Sequence, residues 1–558
     1  MSQSKFNPNQ QFSLFDPMFQ MTDRQLRLLE KGWAGTFRRE ILPKIVKFED
    51  SFAPLYSSNK NSRPSTPTYL VLAMLVLKAM HNLTDEELEE RIAFSVDYQY
   101  ALGTTSYRHQ PVNQRTLNRF RTANAYYTSQ TGIDLIAQFT DGLAESFKNE
   151  YLGKNLKRRM DSIMIDNGCR KLSRLQLAHV IVKNTLNLLC DSEISIPEEL
   201  HHYIEDFDEN KVTYHSKQPA DEKLETAFRD ACAVRNLIPD NLQDSEEAQI
   251  LNRFISEQII TDDDGSFKAV RDGKELTSTA LNNPAEPEST IRRKAGEVHQ
   301  GFVGNFAETV DMDTNRKIID SADFQPNIYS DSQFAKDEIK KMADKGDTST
   351  LTVDGAYAGV DNVNLAAENG ISLIGTALIG KETPDLAAEF EINEEQQTVI
   401  CPYGETADRS SYCEKTGSWK ASFIKEKHCQ DCPHHKSGKC PLRNMKNVLS
   451  GRISRKMIQR AIIQRETGTE KYVENYRFRN GVEAIPSQLR RNQNIDHLPY
   501  RGLLRKKQGY VLAITAINVR RVLKYAQEDA EKALNYCFKL LFQAIFVKME
   551  SISQIIWN

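Results

Sequence analysis

Strand signals in this 558-residue chain come in an order that leaves few folds open. A single strand precedes a long helical stretch, and an antiparallel hairpin and a strand–helix–strand unit follow it. Such an order predicts an α/β fold built on one mixed sheet. The predicted segments are strands at 157–166, 301–310, 317–324, 350–354 and 371–378, and a helix at 360–369.

Carboxylates mark two of these strands, as in a ribonuclease H-like sheet. Alternation places Asp161 on the same face of the first strand as Ile163 and Ile165, and Asp354 ends the fourth strand. Phosphodiester chemistry needs charge stabilisation on the entering and leaving oxygens, which two divalent ions provide. Because magnesium binds oxygen ligands, we expect Asp161 and Asp354 to converge from neighbouring strands. Asp166 competes for the first position, although alternation places it on the opposite face.

The third carboxylate is predicted to be Glu483, which belongs to a group spaced Tyr-x2-Arg-x3-Glu-x6-Arg. At about 100° per residue, Tyr476, Arg479, Glu483 and Arg490 share one face of a regular helix. A cationic stripe beside a metal-binding glutamate can hold a DNA backbone close to the ions. Pro486 opposes a regular helix because it removes a backbone hydrogen bond, so Arg490 is less securely placed than Arg479. A position in the core is the alternative interpretation of Tyr476.

The segment before the first strand is predicted to be helical. An apolar helix over 69–80 is followed by a capping box, Thr84 with Glu87, that starts a second helix. A third helix over 113–125 carries three arginines. Three short helices ending in a basic one fit a DNA-binding module, and a plain bundle with a solvated arginine face is the alternative. The arginines are Arg115, Arg119 and Arg121.

Charge is strongly segregated although the net charge is only −3. Residues 191–290 hold 24 acidic and 9 basic side chains, whereas residues 441–525 hold 19 basic and 5 acidic ones. The cationic segment favours a polyanionic partner, and solvated helix faces are the alternative interpretation. The longest apolar run, 69–77, is far shorter than the ~20 residues that span a membrane. Residues 1–16 lack a secretory pattern, so we expect a cytoplasmic, nucleoid-associated protein without membrane contact.

Five of the nine cysteines lie between residues 401 and 440. Cys429 and Cys432 form a close pair, and Cys401 and Cys440 complete a set suited to a tetrahedral zinc site. Cys413 and three nearby histidines are alternative ligands. Unmetallated cysteines are the other interpretation, because only one Cys-x2-Cys pair is present. The pattern favours reduced thiols or a metal over a disulfide framework.

Together these motifs resemble the bacterial insertion-sequence DDE transposases. The group at 476–490 is similar to the Tyr-Arg-Glu-Lys signature of that family, with Arg490 where lysine is usual. Residues 353–357 resemble its second catalytic block, with Ala356 in place of the usual glycine. The other resembling blocks are 159–162 with 171–175 for the first catalytic block, 500–503 with 516–521 for the C-terminal helix region, and 83–103 with 114–121 for the N-terminal domain.

The resemblance implies a function in DNA transposition. It implies binding of double-stranded DNA at an element's terminal inverted repeats, cleavage at the ends, and joining of the freed 3′-hydroxyl to target DNA. The implied core is ribonuclease H-like, with the three carboxylates holding two Mg²⁺ ions, for which Mn²⁺ can substitute. The tyrosine and arginines of the 476–490 group would contact DNA, and a homodimer is expected from the need to pair two ends. The rival hypotheses are an inactive or domesticated DNA-binding protein and a nuclease of the same fold without strand transfer.

These observations divide the chain into segments of different character. They are a polar extension at 1–65, a helical DNA-end-binding domain at 66–150, a catalytic core at 151–190 and 291–390, an acidic helical insertion at 191–290, a Cys-rich insertion at 391–450, the Glu483-bearing part of the core at 451–530, and a C-terminal helix at 531–558.

Overall fold

A computed structural model of the chain describes residues 1–5, 20–59, 61–104, 113–205, 219–263, 265–294, 296–375, 382–466 and 469–556. Helices and mixed sheets make up these residues, which confirms the predicted α/β class. In the described ranges, no helix has the length and apolar character needed to cross a membrane.

Helices form the chain before the first strand. They are α1 (Asp23–Lys31), α2 (Trp33–Thr36), α3 (Leu42–Val46), α4 (Thr68–His81), α5 (Asp85–Phe94), α6 (Val96–Leu102), α7 (Gln114–Thr131) and α8 (Leu135–Tyr151). α4 is buried along nearly its whole length because it is apolar on all sides. The predicted capping box is present, with Thr84 and Glu87 bonding each other's backbone at the start of α5.

The hydrophobic core of these helices also includes residues before position 65. Phe37, Ile41 and Ile45 are fully buried and recur at four-residue intervals, which places them on one helical face. Phe52 is buried in the same cluster. The polar extension predicted at 1–65 therefore supplies part of the core, and the local spacing of its apolar residues is the reason.

A six-stranded mixed sheet forms the centre of the next region. Its elements and those around it are β1 (Leu156–Asp166), α9 (Arg174–Asp191), α10 (His202–Glu205), α11 (Ala220–Leu237), α12 (Glu246–Gln258), β2 (Ile259–Thr261), β3 (Phe267–Val270), β4 (Thr290–Lys294), β5 (Glu297–Asp311), β6 (Lys317–Pro326), α13 (Asp331–Asp344), β7 (Thr350–Val353), α14 (Val360–Glu368) and β8 (Leu373–Gly375). The strand order is β4–β5–β1–β7–β8, with β6 paired to β5. β1 is antiparallel to β5 and parallel to β7.

This sheet confirms the predicted hairpin and strand–helix–strand unit and adds β4 at one edge. Helices cover both of its faces: Ile163 packs in the core that α8 shares, whereas Met160 packs with α13 and α14. Residues 376–378 of the last predicted strand lie outside the described residues.

The acidic segment packs against α9 in a separate hydrophobic cluster. Leu186 of α9, Phe228 of α11 and Phe254 of α12 are fully buried against one another. A buried ion pair, Lys506 Nζ to Glu286 Oε1 at 3.2 Å, joins the end of this segment to the C-terminal part of the chain.

The remaining elements are a two-stranded sheet of β9 and β10, a four-stranded antiparallel sheet of β11 to β14, and a series of helices. They are β9 (Glu391–Asn393), β10 (Thr398–Ile400), β11 (Arg409–Cys413), β12 (Ser418–Ile424), α15 (Pro433–Lys436), β13 (Arg443–Asn444), β14 (Val448–Ile453), α16 (Arg455–Glu466), α17 (Glu470–Asn480), α18 (Ala484–Gln493) and α19 (Leu503–Ile556). The first half of α19 is buried against α4, α8 and β6. This helix therefore holds the N-terminal helices against the central sheet.

Candidate active site

Two of the predicted carboxylates stand side by side at the sheet. β1 and β7 run in parallel with Arg159 opposite Thr352, and Asp161 and Asp354 lie two residues further along each chain. Asp161 is on β1, and Asp354 directly follows the last residue of β7. Asp166 is exposed at the far end of β1, about 16 Å from Asp161 at ~3.3 Å per residue. The register therefore favours Asp161 over Asp166 as the partner of Asp354.

Arg479 connects the third predicted carboxylate to this pair. Its Nη2 lies 3.2 Å from Oδ2 of Asp161, and its Nη1 lies 3.0 Å from Oε1 of Glu483. The Asp161 side chain is 17% exposed, whereas that of Glu483 is 61% exposed. Two carboxylates distant in the sequence thus share one guanidinium at the rim of the sheet.

The four residues of this group do not share one regular helix, which confirms the interruption expected from Pro486. α17 ends at Asn480, a single 3₁₀ turn spans Gly481–Glu483, and α18 begins at Ala484. Pro486 is the reason, because its ring has no N–H to donate and clashes with the carbonyl four residues earlier. Glu483 therefore sits on the turn between two helices.

The pKa of Asp161 reports the proximity of all three acids. Burial raises this pKa above its ordinary value, and the charges of Asp354 and Glu483 raise it further. Arg479 and the backbone N–H of Ser162 oppose the rise. Each additional negative charge makes ionisation of Asp161 more costly, which is the electrostatic condition that a bound cation relieves.

In the described ranges, no group of three or more His, Cys, Asp and Glu side chains is arranged to hold a metal ion. The donor chemistry nevertheless fits magnesium, because three carboxylates supply only oxygen ligands. The Arg479 guanidinium lies where a cation would be shared between Asp161 and Glu483. Binding of a metal by these acids therefore requires Arg479 to move.

A contact that sequence reasoning missed holds α17 against β1. The guanidinium of Arg159 donates to the carbonyl oxygen of Phe478 at 2.6 Å and lies over its ring, and it also pairs with the buried Glu308. A Cβ on Gly481 would collide with this guanidinium. The available signal was a charged residue inside an apolar strand, which needs a buried partner.

The other residues of the 476–490 group lie at the surface. Tyr476 is 45% exposed, so it is not a core aromatic. Arg490 is also exposed, and it donates to Asp496 at 3.1 Å and to the carbonyl oxygen of Met164 of β1 at 3.2 Å.

The three arginines of α7 differ in their surroundings. Arg115 and Arg119 are exposed. Arg121 is 3% exposed, pairs with Asp85, and lies 5.2 Å from the centre of the Tyr500 ring. The prediction that Arg121 contacts DNA is therefore wrong in this structure, because its charge is used in a buried ion pair.

Much of the positive charge of residues 441–525 is also paired internally. Cations of α19 bridge to acids of the sheet and of the acidic segment, which lowers the share of this charge that faces solvent. The pairs are Lys506–Glu286, Lys507–Asp323 and Arg521–Glu308. The charge count alone thus overstated the basic surface of this segment.

The four cysteines predicted to bind zinc neighbour one another. Burial raises the pKa of Cys429 to about 11, and the thiols of Cys432, Cys440 and Cys401 add to the rise. All nine cysteines are free thiols. Among the described residues these thiols do not form a metal-holding group, so the zinc site stays a prediction. Cys413 has a lowered pKa from hydrogen bonds at Thr416 and does not contribute to the rise at Cys429.

Family models match two parts of the chain. Residues 30–123 match a model described as a transposase domain (DUF772), which covers the helices from α2 to α6 and the first part of α7. Residues 400–523 match a model described as a transposase DDE domain, which includes Arg479, Glu483 and the buried half of α19. No curated protein and no solved structure matches the chain.

Proposed function

Since this chain belongs to the insertion-sequence DDE transposases, we propose that it binds the terminal inverted repeats of a DNA element and cleaves at the element's ends. It then joins the freed 3′-hydroxyl to target DNA. The observation that carries the proposal is that Asp161 on β1 and Asp354, directly after β7, each lie two residues beyond the paired Arg159 and Thr352, with Glu483 tied to Asp161 through Arg479. The mixed sheet, with its antiparallel hairpin and parallel β1–β7–β8 unit, supports a ribonuclease H-like core.

The three carboxylates would hold two Mg²⁺ ions, or Mn²⁺ in their place, which supply charge stabilisation at the entering and leaving oxygens. Asp161 and Asp354 are fixed by the sheet, whereas the exposed Glu483 sits on a turn from which it can approach them. Arg479 neutralises two of the acids until cations arrive. Its planar fork is then free to bond two phosphate oxygens.

Exposed side chains would position the DNA. Tyr476 and Arg490 lie at the surface on α17 and α18, the helices before and after Glu483, and Arg115 and Arg119 are exposed on α7. Phosphate contacts of this kind fix register without reading sequence. We propose a homodimer acting at the nucleoid, because two ends have to be cut and joined together.

Glu483→Gln tests the proposal, with duplex DNA from the inverted repeats flanking the reading frame as substrate. Repeat binding should persist, whereas magnesium-dependent nicking should be lost, because one ligand charge is removed without a change of shape. Glu474→Gln is the matched control, since Glu474 is an exposed acid of α17. Unimpaired nicking by Glu483→Gln would defeat the assignment.

A second assay separates transposition from the rival activities. Pre-cut ends and a supercoiled target should give joined products with the wild-type chain. Nicking without joining would identify a nuclease of the same fold. Binding without nicking would identify a catalytically inactive DNA-binding protein.

The cysteine cluster of 401–440 is proposed as a structural zinc site, supported by the four neighbouring thiols and their place in a small core. Zinc content measured on the purified chain should be one ion per chain and should fall in Cys432→Ser. An unchanged, near-zero content in both would remove the zinc proposal.

A further inference from the structure

The small sheet of β11, β12, β14 and β13 has one buried and one open face. Trp419, Ala421 and Phe423 alternate along β12 and are buried in its core. The residues between them, Lys420 and Ser422, therefore point to the opposite side. This side is called the open face below.

The registers of the four strands bring cations together on the open face. One row across the sheet reads Arg409, Ser422, Ser450 and Arg443. The next row reads Ser411, Lys420 and Arg452. All four cations are exposed. At ~4.8 Å per strand, the first row extends over about 14 Å.

Among the described residues, these cations have no internal partner. In the part of the chain that the structure describes, none of the four forms an ion pair or a side-chain hydrogen bond, and the four strands contain no Asp or Glu. Asp408, which precedes Arg409 in the chain, is already held by Lys427, His428 and the backbone N–H of Ile424. In α19, by contrast, Lys506, Lys507 and Arg521 are each paired with an acid.

Lys420 and Arg452 stand directly opposite each other on neighbouring strands. Like charges in this position repel and destabilise a sheet. Folding alone does not account for such a pair, whereas a polyanion lying across the sheet would neutralise both charges. The hydroxyls of Ser422 and Ser450 lie between the outer arginines and are bonded to each other at 2.9 Å, and Ser450 also donates to the carbonyl oxygen of Ala421. The cations are therefore the groups of this face that can bond phosphate.

The open face also lacks aromatic side chains. Single-stranded nucleic acid is bound by stacking bases on aromatic rings. Here Trp419 and Phe423 face the core, and Tyr412 pairs with Trp419 in the register. A flat cationic face without rings fits the phosphate backbone of a duplex.

We propose that the open face is a sequence-independent docking surface for the backbone of duplex DNA. Lys420, Arg452, Arg409 and Arg443 contact phosphates there, and the inference rests on the proposed function for its biological context. This surface adds a DNA contact outside the carboxylate site and outside α7.

The test is the salt dependence of binding to a duplex of arbitrary sequence, measured by fluorescence anisotropy on the full chain. For Lys420→Gln/Arg452→Gln, the slope of log K against log salt should shrink by about 1.8, at about 0.9 per lost phosphate contact. Lys336→Gln/Lys340→Gln removes two exposed cations of α13 and is the matched control, which should leave the slope unchanged. Lys420→Arg/Arg452→Lys keeps both charges and should bind as the wild type does.

Arg409→Gln/Arg443→Gln provides a second variant at the edges of the sheet if the central one does not fold. An unchanged slope in a folded variant, or an equal loss in the α13 control, would overturn the proposal. If the substitutions weakened binding only to a single-stranded probe, the open face would bind single-stranded DNA instead of a duplex. If the wild type nicks and joins DNA while the variants keep the wild-type slope of log K against log salt, only this inference fails. If the wild type does not nick DNA, the proposed function fails.

Discussion

Nη2 of Arg479 lies 3.2 Å from Oδ2 of Asp161, a contact between residues 318 positions apart in the sequence. The same guanidinium reaches Glu483 at 3.0 Å. A cation of the chain itself thus balances the acids that are proposed to hold metal. This arrangement lets the carboxylates be assembled before any ion or DNA is bound, since mutual repulsion is reduced.

Arg479→Gln should bind Mn²⁺ more tightly than the wild type in the absence of DNA. The guanidinium makes two partly buried ion pairs, and their loss frees both acids for the metal. At ~0.5–1 kcal/mol for each pair, the gain is about tenfold in affinity. Calorimetric titration with Mn²⁺ measures it. Arg477→Gln, an exposed cation on the same helix, should leave the affinity unchanged, and equal affinities in all three proteins would contradict the role given to Arg479.

Gly481→Ala should destabilise the chain and impair nicking. The added Cβ would collide with the Arg159 guanidinium that ties α17 to β1, and relief of that collision shifts the turn carrying Glu483. Overpacking of this kind costs about 1–3 kcal/mol. Gly359→Ala is the control, since its Cβ would meet only a Ser332 atom at 3.8 Å. Denaturant unfolding measures the loss, and wild-type stability together with wild-type nicking would show that the contact is unimportant.

Arg121→Gln should mainly lower stability, whereas Arg119→Gln should mainly weaken DNA binding. Loss of Arg121 leaves Asp85 with Lys78 alone in a largely buried site and should lower the free energy of unfolding by about 3 kcal/mol. Loss of the exposed Arg119 should change stability by less than about 0.5 kcal/mol and should weaken DNA binding. Thermal unfolding and a DNA-binding titration on both variants decide this. If instead Arg121→Gln weakened DNA binding at unchanged stability and Arg119→Gln lowered stability, Arg121 would be the DNA contact.

The cluster that α9 forms with the acidic segment should lose stability in mild acid. Burial lowers the pKa of His179 from 6.5 to about 4, and the charge of His202 adds to the shift. Between these two values the unfolded chain binds a proton that the folded chain does not, so stability is full above pH 6.5 and falls until about pH 4. The loss is on the order of 3 kcal/mol. His179→Phe keeps a ring against Tyr203 and should flatten the curve of unfolding free energy against pH; identical curves would exclude His179 as the source.

Local sequence patterns predicted those parts of the fold that depend on neighbouring residues. The capping box at Thr84 and Glu87 and the hairpin of β5 and β6 follow from short-range chemistry, and both are present. The edge strand β4 was missed because its five residues hold three cations and no apolar alternation. Its place is set by pairing with β5, which no local pattern records.

In the candidate site, too, some features were predictable from the sequence and others depend on contacts between distant residues. The adjacency of Asp161 and Asp354 was predictable, because parallel neighbouring strands bring their ends together. The surroundings of single arginines were not, since burial of Arg121 depends on Asp85 and Tyr500, which come from distant parts of the chain. The break at Gly481–Glu483 was signalled by Pro486, but its effect on the position of Glu483 depends on the contact between Arg159 and Phe478.

Iron-directed cleavage of the protein backbone tests the central claim most directly. Fe²⁺ added in place of Mg²⁺, with ascorbate and peroxide, generates radicals that cut the chain close to the bound ion. A shared metal site predicts cuts near residues 161, 354 and 483 together, suppressed by excess Mg²⁺ and lost in Asp354→Asn. Cuts near only one of these positions, or at none of them, would show that the three carboxylates do not share a metal site.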